Sequence, residues 1–164
     1  MGLDMEIRHN GEEVIYMRKE NAIRNWFATH LENFEDNGLT NIPQDRFEEI
    51  LTAMENVITE GGIEDFYERY DDALKNDDNE AYRILVDDIN NFIADGGEKY
   101  EQFCKVANEY LPTQSGFFFG GTDYNFHYFR EVLLNYCLFS EFYKDMIESR
   151  EEWDEGTVEY WEWY

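Results

Sequence analysis

Apolar residues recur every three to four positions through most of the chain, and that spacing predicts helices. Ile15, Ile23, Trp26, Phe27, His30, Leu31 and Phe34 fall on one face of a first helix of roughly 20 residues. A second follows Pro43, a residue tolerated at a helix start, and carries Phe47, Ile50, Leu51, Met54, Val57 and Ile58 in register. Phe66, Tyr67 and Tyr70 predict a third, from about Ile63 to Leu74; Ala81, Leu85, Ile89, Phe92 and Ile93 predict a fourth. A shorter fifth gathers Tyr100, Phe103, Cys104 and Ala107. The last, from about Tyr124 to Ser149, turns Phe129, Val132, Leu133, Tyr136, Cys137, Tyr143, Met146 and Ile147 inward.

Gly61-Gly62, Gly96-Gly97 and Gly120-Gly121 mark chain reversals, because adjacent residues without Cβ are costly inside a helix. No sustained strict alternation is read from the sequence, so only Leu39–Ile42 and Phe117–Phe119 are expected as short strand fragments. The expected fold is all-α, or mostly α with one short strand pair. It is a bundle of about five to six helices over residues 1–149, with an acidic helical insert at about 60–110. Residues 150–164 form an acidic aromatic tail whose helical period is weak and broken by Gly156. That tail is expected to be mobile in free solution, and either to fold back with Trp153, Trp161 and Trp163 on an apolar patch or to insert into a partner's groove, its rings and carboxylates imitating a single strand.

Charge changes the picture next. The 164 residues hold 38 Asp and Glu against 13 Lys and Arg, a net of −25. With 13 Phe, 12 Tyr and 4 Trp this is no disordered acidic tail. A basic footprint for nucleic acid is excluded, and no apolar run is long enough to span a membrane. Residues 60–101 carry 14 acids and 4 bases, whereas residues 102–147 carry 5 and 3. The neutral, aromatic segment reads as core and the acidic segments as surface. Cys104 and Cys137 alone make no disulfide framework, and Met1–Asn10 lacks a signal pattern, so the expected location is the host cytoplasm.

Two stretches carry a resemblance. Tyr16-Met17-Arg18-Lys19-Glu20-Asn21-Ala22-Ile23-Arg24-Asn25-Trp26-Phe27 resembles YWRKANAIHKWF, and Leu111-Pro112-Thr113-Gln114-Ser115-Gly116-Phe117-Phe118-Phe119-Gly120-Gly121-Thr122-Asp123-Tyr124 resembles LPTQSGFFFGSTDY. Both motifs occur in this order in a family of small phage and prophage proteins. Met17 stands where that family has Trp, and Arg24 where it has His. The resemblance covers about a third of the chain and leaves out the acidic insert and tail. It implies a phage origin and a shared core, and no particular activity. Physically, the Phe117–Phe119 triplet between glycines reads either as a corner stapling the first and last helices or as an exposed aromatic patch.

Catalytic chemistry finds little support. His9, His30 and His127 are scattered, with no Cys/His ligand spacing and no phosphate-binding glycine loop. His30 reads as a core histidine of the first helix. Asn33, Glu35, Asn37 and Gly38 imitate the start of a calcium loop, but its twelfth position is Gln44, which supplies no bidentate carboxylate. No enzyme, cofactor or metal is expected. What remains is the charge, far beyond the magnitude of about 2 to 8 that solubility asks of a small domain. The expectation is a nucleic-acid charge mimic that occludes a basic cleft of a bacterial nuclease effector or restriction enzyme. It would act as an anti-CRISPR or anti-restriction inhibitor, without touching nucleic acid or membrane. The residues expected to carry it are Glu64, Asp65, Glu68, Asp71, Asp72, Asp77, Asp78, Asp87 and Asp88, then Glu151, Glu152, Asp154 and Glu155. The alternative is a phage accessory or structural module that binds a partner through aromatic surfaces.

Overall fold

The expected first helix gives way, over its N-terminal part, to a β-hairpin. In the computed structural model, which describes residues 2–164, strands β1 (Asp4–His9) and β2 (Glu12–Arg18) pair antiparallel around Asn10-Gly11. Both turn residues have positive φ, 51° and 83°, the backbone that lets a two-residue turn match the twist of its strands. Met5 and Ile7 on β1, and Ile15 and Met17 on β2, alternate with polar or exposed neighbours and are buried. Ile15 therefore belongs to a strand, and helix α1 runs only over Asn21–His30. His30 is correspondingly no core residue. It is exposed at the end of α1, stacked on Trp26 at 4.1 Å.

The remaining helices follow the apolar periodicity: α2 (Gln44–Glu60), α3 (Glu64–Lys75), α4 (Asn79–Asp95), α5 (Gly97–Tyr110) and α6 (Phe126–Glu148). Gly61-Gly62 lies between α2 and α3, and Gly96, at φ 59°, separates α4 from α5, whose first residue Gly97 has φ 81°. Helix α6 packs against α2, α3 and α4. Its Phe129 stacks on Phe103 of α5 at 4.2 Å, and its Phe139 on Phe47 of α2 at 5.4 Å. Burying each such ring stabilises the fold by about 1.5–3 kcal/mol before entropy is counted. Ile147, expected inward, is exposed because it sits in the last turn, where α6 runs past the core.

The C-terminal segment differs most from the expectation. Val158–Trp163 is strand β4, and it lies between β1 and β3 (Leu39–Asn41) in an antiparallel sheet of order β2-β1-β4-β3. The fold is thus mostly helical with one four-stranded sheet, rather than all-α. Val158, Tyr160 and Glu162 face inward from β4. The intervening Trp161 and Trp163 stack on each other at 4.3 Å on the sheet's other side. Trp153 alone of the three Trp in this segment covers the helical core, against Phe47, Phe142 and Tyr143, and donates its indole N–H to the Ile42 carbonyl. Phe117–Phe119 forms a turn and no strand, although Leu3 N–H donates to the Phe118 carbonyl at 3.1 Å.

Candidate functional site

Helices α3 and α4 form a hairpin joined at Asn76–Asp78, and over Glu64–Asp95 it carries eleven acidic against three basic residues. Glu64, Glu68 and Asp72 recur at four-residue steps, so they line one stripe of α3. Glu64, Asp65, Glu68, Asp72, Asp77, Asp78 and Asp87 are exposed, and Asp71 and Asp88 are half-buried. Four of the nine are engaged within the hairpin. Arg69 bridges Asp65 at 3.7 Å and, across to α4, Asp88 at 2.6 Å; Lys75 holds Asp71 at 2.6 Å. Asp78 caps α4 by accepting from Ala81 N–H at 3.0 Å. Glu64, Glu68, Asp72, Asp77 and Asp87 have no basic partner among the described residues. Leu74 and Ile84 are also exposed on the hairpin, Leu74 beside Asp77 and Asp78 and Ile84 beside Asp72 and Asp78.

The second acidic group is separate from this face in the fold. Glu151, Glu152, Asp154 and Glu155 precede β4 and are all exposed. Glu151 meets His9 at 2.7 Å. Asp154 and Glu155, with Glu32, Glu35 and Trp153, line a surface cavity of about 540 Å³ beside β3. The remaining acid of β4 with a defined role points the other way. Glu162 is fully buried, and Arg24 of α1 donates to both its carboxylate oxygens at 3.1 Å. Tyr160 and Asn37 N–H complete its hydrogen bonds, and Asp36 takes the other side of Arg24 at 2.7 Å. The guanidinium also lies over Phe119, 4.1 Å from the ring centroid.

The stretches 16–27 and 111–124 dock on one another. Asn21 both donates to and accepts from the Gln114 backbone at 2.7 Å, and Asn25 donates to the Pro112 carbonyl at 2.8 Å. Gly120, at φ 92°, passes so close to Lys19 that a Cβ would lie 3.0 Å from its carbonyl oxygen. The triplet divides its roles: Phe119 lies under Arg24, Phe118 stacks on Tyr164 at 4.9 Å, and Phe117 is 91% exposed.

Sequence reasoning missed the buried carboxylates at this junction. Glu131 of α6 is buried and accepts from Ile23 N–H at 2.9 Å, so it caps α1 from another helix. Glu20 beside it is 3% exposed. Burial pushes the Glu20 carboxyl up to about 7, against the pull of Arg130. Burial and the charge of Glu20 push Glu131 well above the usual carboxylate range, while the amides of Ile23 and Ala22 pull it down. No family model, curated protein or solved structure matches this chain.

Proposed function

We propose that the protein is a non-catalytic inhibitor that presents the α3–α4 hairpin to a basic, nucleic-acid-binding cleft of a bacterial defence protein. The observation that supports this reading is the set of exposed acids with no basic partner, Glu64, Glu68 and Asp72 along α3, Asp77 in the connection and Asp87 on α4. A helix rises about 1.5 Å per residue. The three unpaired acids of α3 therefore give about one charge per 6 Å, and Asp77 and the acids of α4 alongside bring the face nearer to duplex DNA, at about one per 1.7 Å. Lys and Arg of a groove built for phosphates would meet a comparable field, and occlusion follows without chemistry. Leu74 and Ile84 add the apolar contact that a charged surface alone lacks.

The test is salt-resolved capture from bacterial lysate with the wild-type chain and with a four-site variant, Glu68→Gln, Asp72→Asn, Asp77→Asn and Asp87→Asn. The reading expects basic nucleic-acid-binding proteins on the wild type, released by about 0.5 M salt and absent from the variant. The same proteins on both chains at the same salt would refute it. Phe117, with its ring almost fully in solvent, favours a second reading, an accessory module docking through an aromatic surface. Under that reading Phe117→Ser, and not the four-site variant, removes the partner.

A further inference from the structure

The docking of α6 against the start of α1 brings together three groups that no short motif announces. Glu20, His127 and Glu131 each direct one ligand atom into a common gap, and these atoms lie within 4.8 Å of one another. His127 Nε2 is 3.6 Å from Glu20 Oε2 and 3.2 Å from the Lys19 carbonyl oxygen. The other Glu20 oxygen, Oε1, faces Arg130 at 3.8 Å. Glu20 Oε2 is buried without any hydrogen-bond partner, and it points into the gap. An unpartnered buried carboxylate oxygen costs free energy, so it calls for an occupant.

We propose that Glu20, His127 and Glu131 bind one divalent transition-metal ion of the zinc type. One imidazole and two carboxylates form a ligand set suited to zinc, with three protein ligands and a fourth position for water or the Lys19 carbonyl. Ligand atoms around a tetrahedral zinc with bonds of about 2.0–2.1 Å stand about 3.3 Å apart. The 3.6 Å between His127 and Glu20 is already close to that spacing, and all three ligand atoms lie within 4.8 Å of one another. His127 is half-exposed, which gives the ion a path from solvent; the two carboxylates are buried, which holds it. Once bound, the ion ties α6 to the segment entering α1.

The experiment strips the full chain with chelator and titrates zinc by calorimetry in millimolar magnesium, which occupies the diffuse acidic surface. The proposal expects one saturable site and a raised melting temperature. Glu20→Gln and His127→Gln should each weaken binding at least tenfold, while the four-site hairpin variant binds unchanged. Cobalt in place of zinc should give visible ligand-field bands that His127→Gln abolishes. Glu131 is left intact because it also caps α1. Should Glu20→Gln fail to fold, the half-exposed His127→Gln decides alone. Zinc binding that magnesium suppresses, or that His127→Gln leaves within twofold of wild type, overturns the proposal.

Discussion

The α3–α4 hairpin and the junction of α1, β4 and the 111–124 loop are both rich in charge, and they use it in opposite ways. On the hairpin, Glu68, Asp72, Asp77 and Asp87 stand in water without basic partners, and the ion pairs that exist are surface pairs worth about 0–1 kcal/mol each. At the junction, Arg24 and Glu162 are buried, doubly hydrogen-bonded and enclosed by Tyr160, Asn37 and Phe119. The contrast separates charge that specifies the fold from charge that the fold merely carries. Acidic composition alone hides this division, since Glu162 and Glu151 belong to the same acidic segment.

The largest effect that sharpens the comparison is loss of β4. Removing residues 150–164 deletes a strand with neighbours on both sides, and the truncated chain should show no cooperative thermal transition by circular dichroism. A truncated chain melting within a few degrees of wild type would break the assignment of the segment to the fold. Next comes Arg24→Ala, which leaves Glu162 buried and uncompensated and should cost about 3–5 kcal/mol in urea unfolding. Asp77→Asn on the hairpin should stay within about 0.5 kcal/mol. Asn suits that position, whose φ is 49°.

A third effect concerns pH. Glu131, His127 and Arg130 face Glu20 in the junction. The Glu20 carboxyl titrates near 4.5 unfolded and is pushed up to about 7 when folded, so the native state keeps its proton longer. Its stabilising contribution is full below pH 4.5 and is lost as pH rises through 7, amounting to about 3 kcal/mol. Urea unfolding in chelator at pH 5 and pH 8 measures it together with the like-signed contribution of Glu131, and Glu20→Gln should reduce the difference without abolishing it. The smallest effect is ionic. Raising monovalent salt from about 0.01 to 0.15 M should lift the melting temperature by a few degrees in wild type, and by less in the four-site variant. A melting temperature that falls with salt would mean that attractive pairs dominate the surface.

Helices α2 to α6 were legible because their apolar period persists over three or more turns. The β1–β2 hairpin was missed: Asn10-Gly11 flanked by alternating Met5, Ile7, Ile15 and Met17 signals it, but Ile15 also fits the helical stripe of Ile23 and Trp26. Strand β4 was concealed by its own side chains. Its buried positions include Glu162 and its outer positions include Trp161 and Trp163, so hydrophobicity does not alternate where burial does. The exposed acids followed from composition. Which of them bond to Arg69, Lys75 or the first turn of α4 did not, since those pairings depend on how two helices lie together. The Glu20–His127–Glu131 cluster was invisible, because its members become neighbours only when α6 docks on the start of α1.

The division between the two kinds of charge is tested most directly by the unfolding free energy of the four-site hairpin variant in urea at about 0.01 M salt. Charge that the fold merely carries predicts stability equal to wild type or higher, because repulsion is relieved and no cap or ion pair is lost. A loss of more than about 1 kcal/mol would show that these acids hold the structure together and would contradict the account.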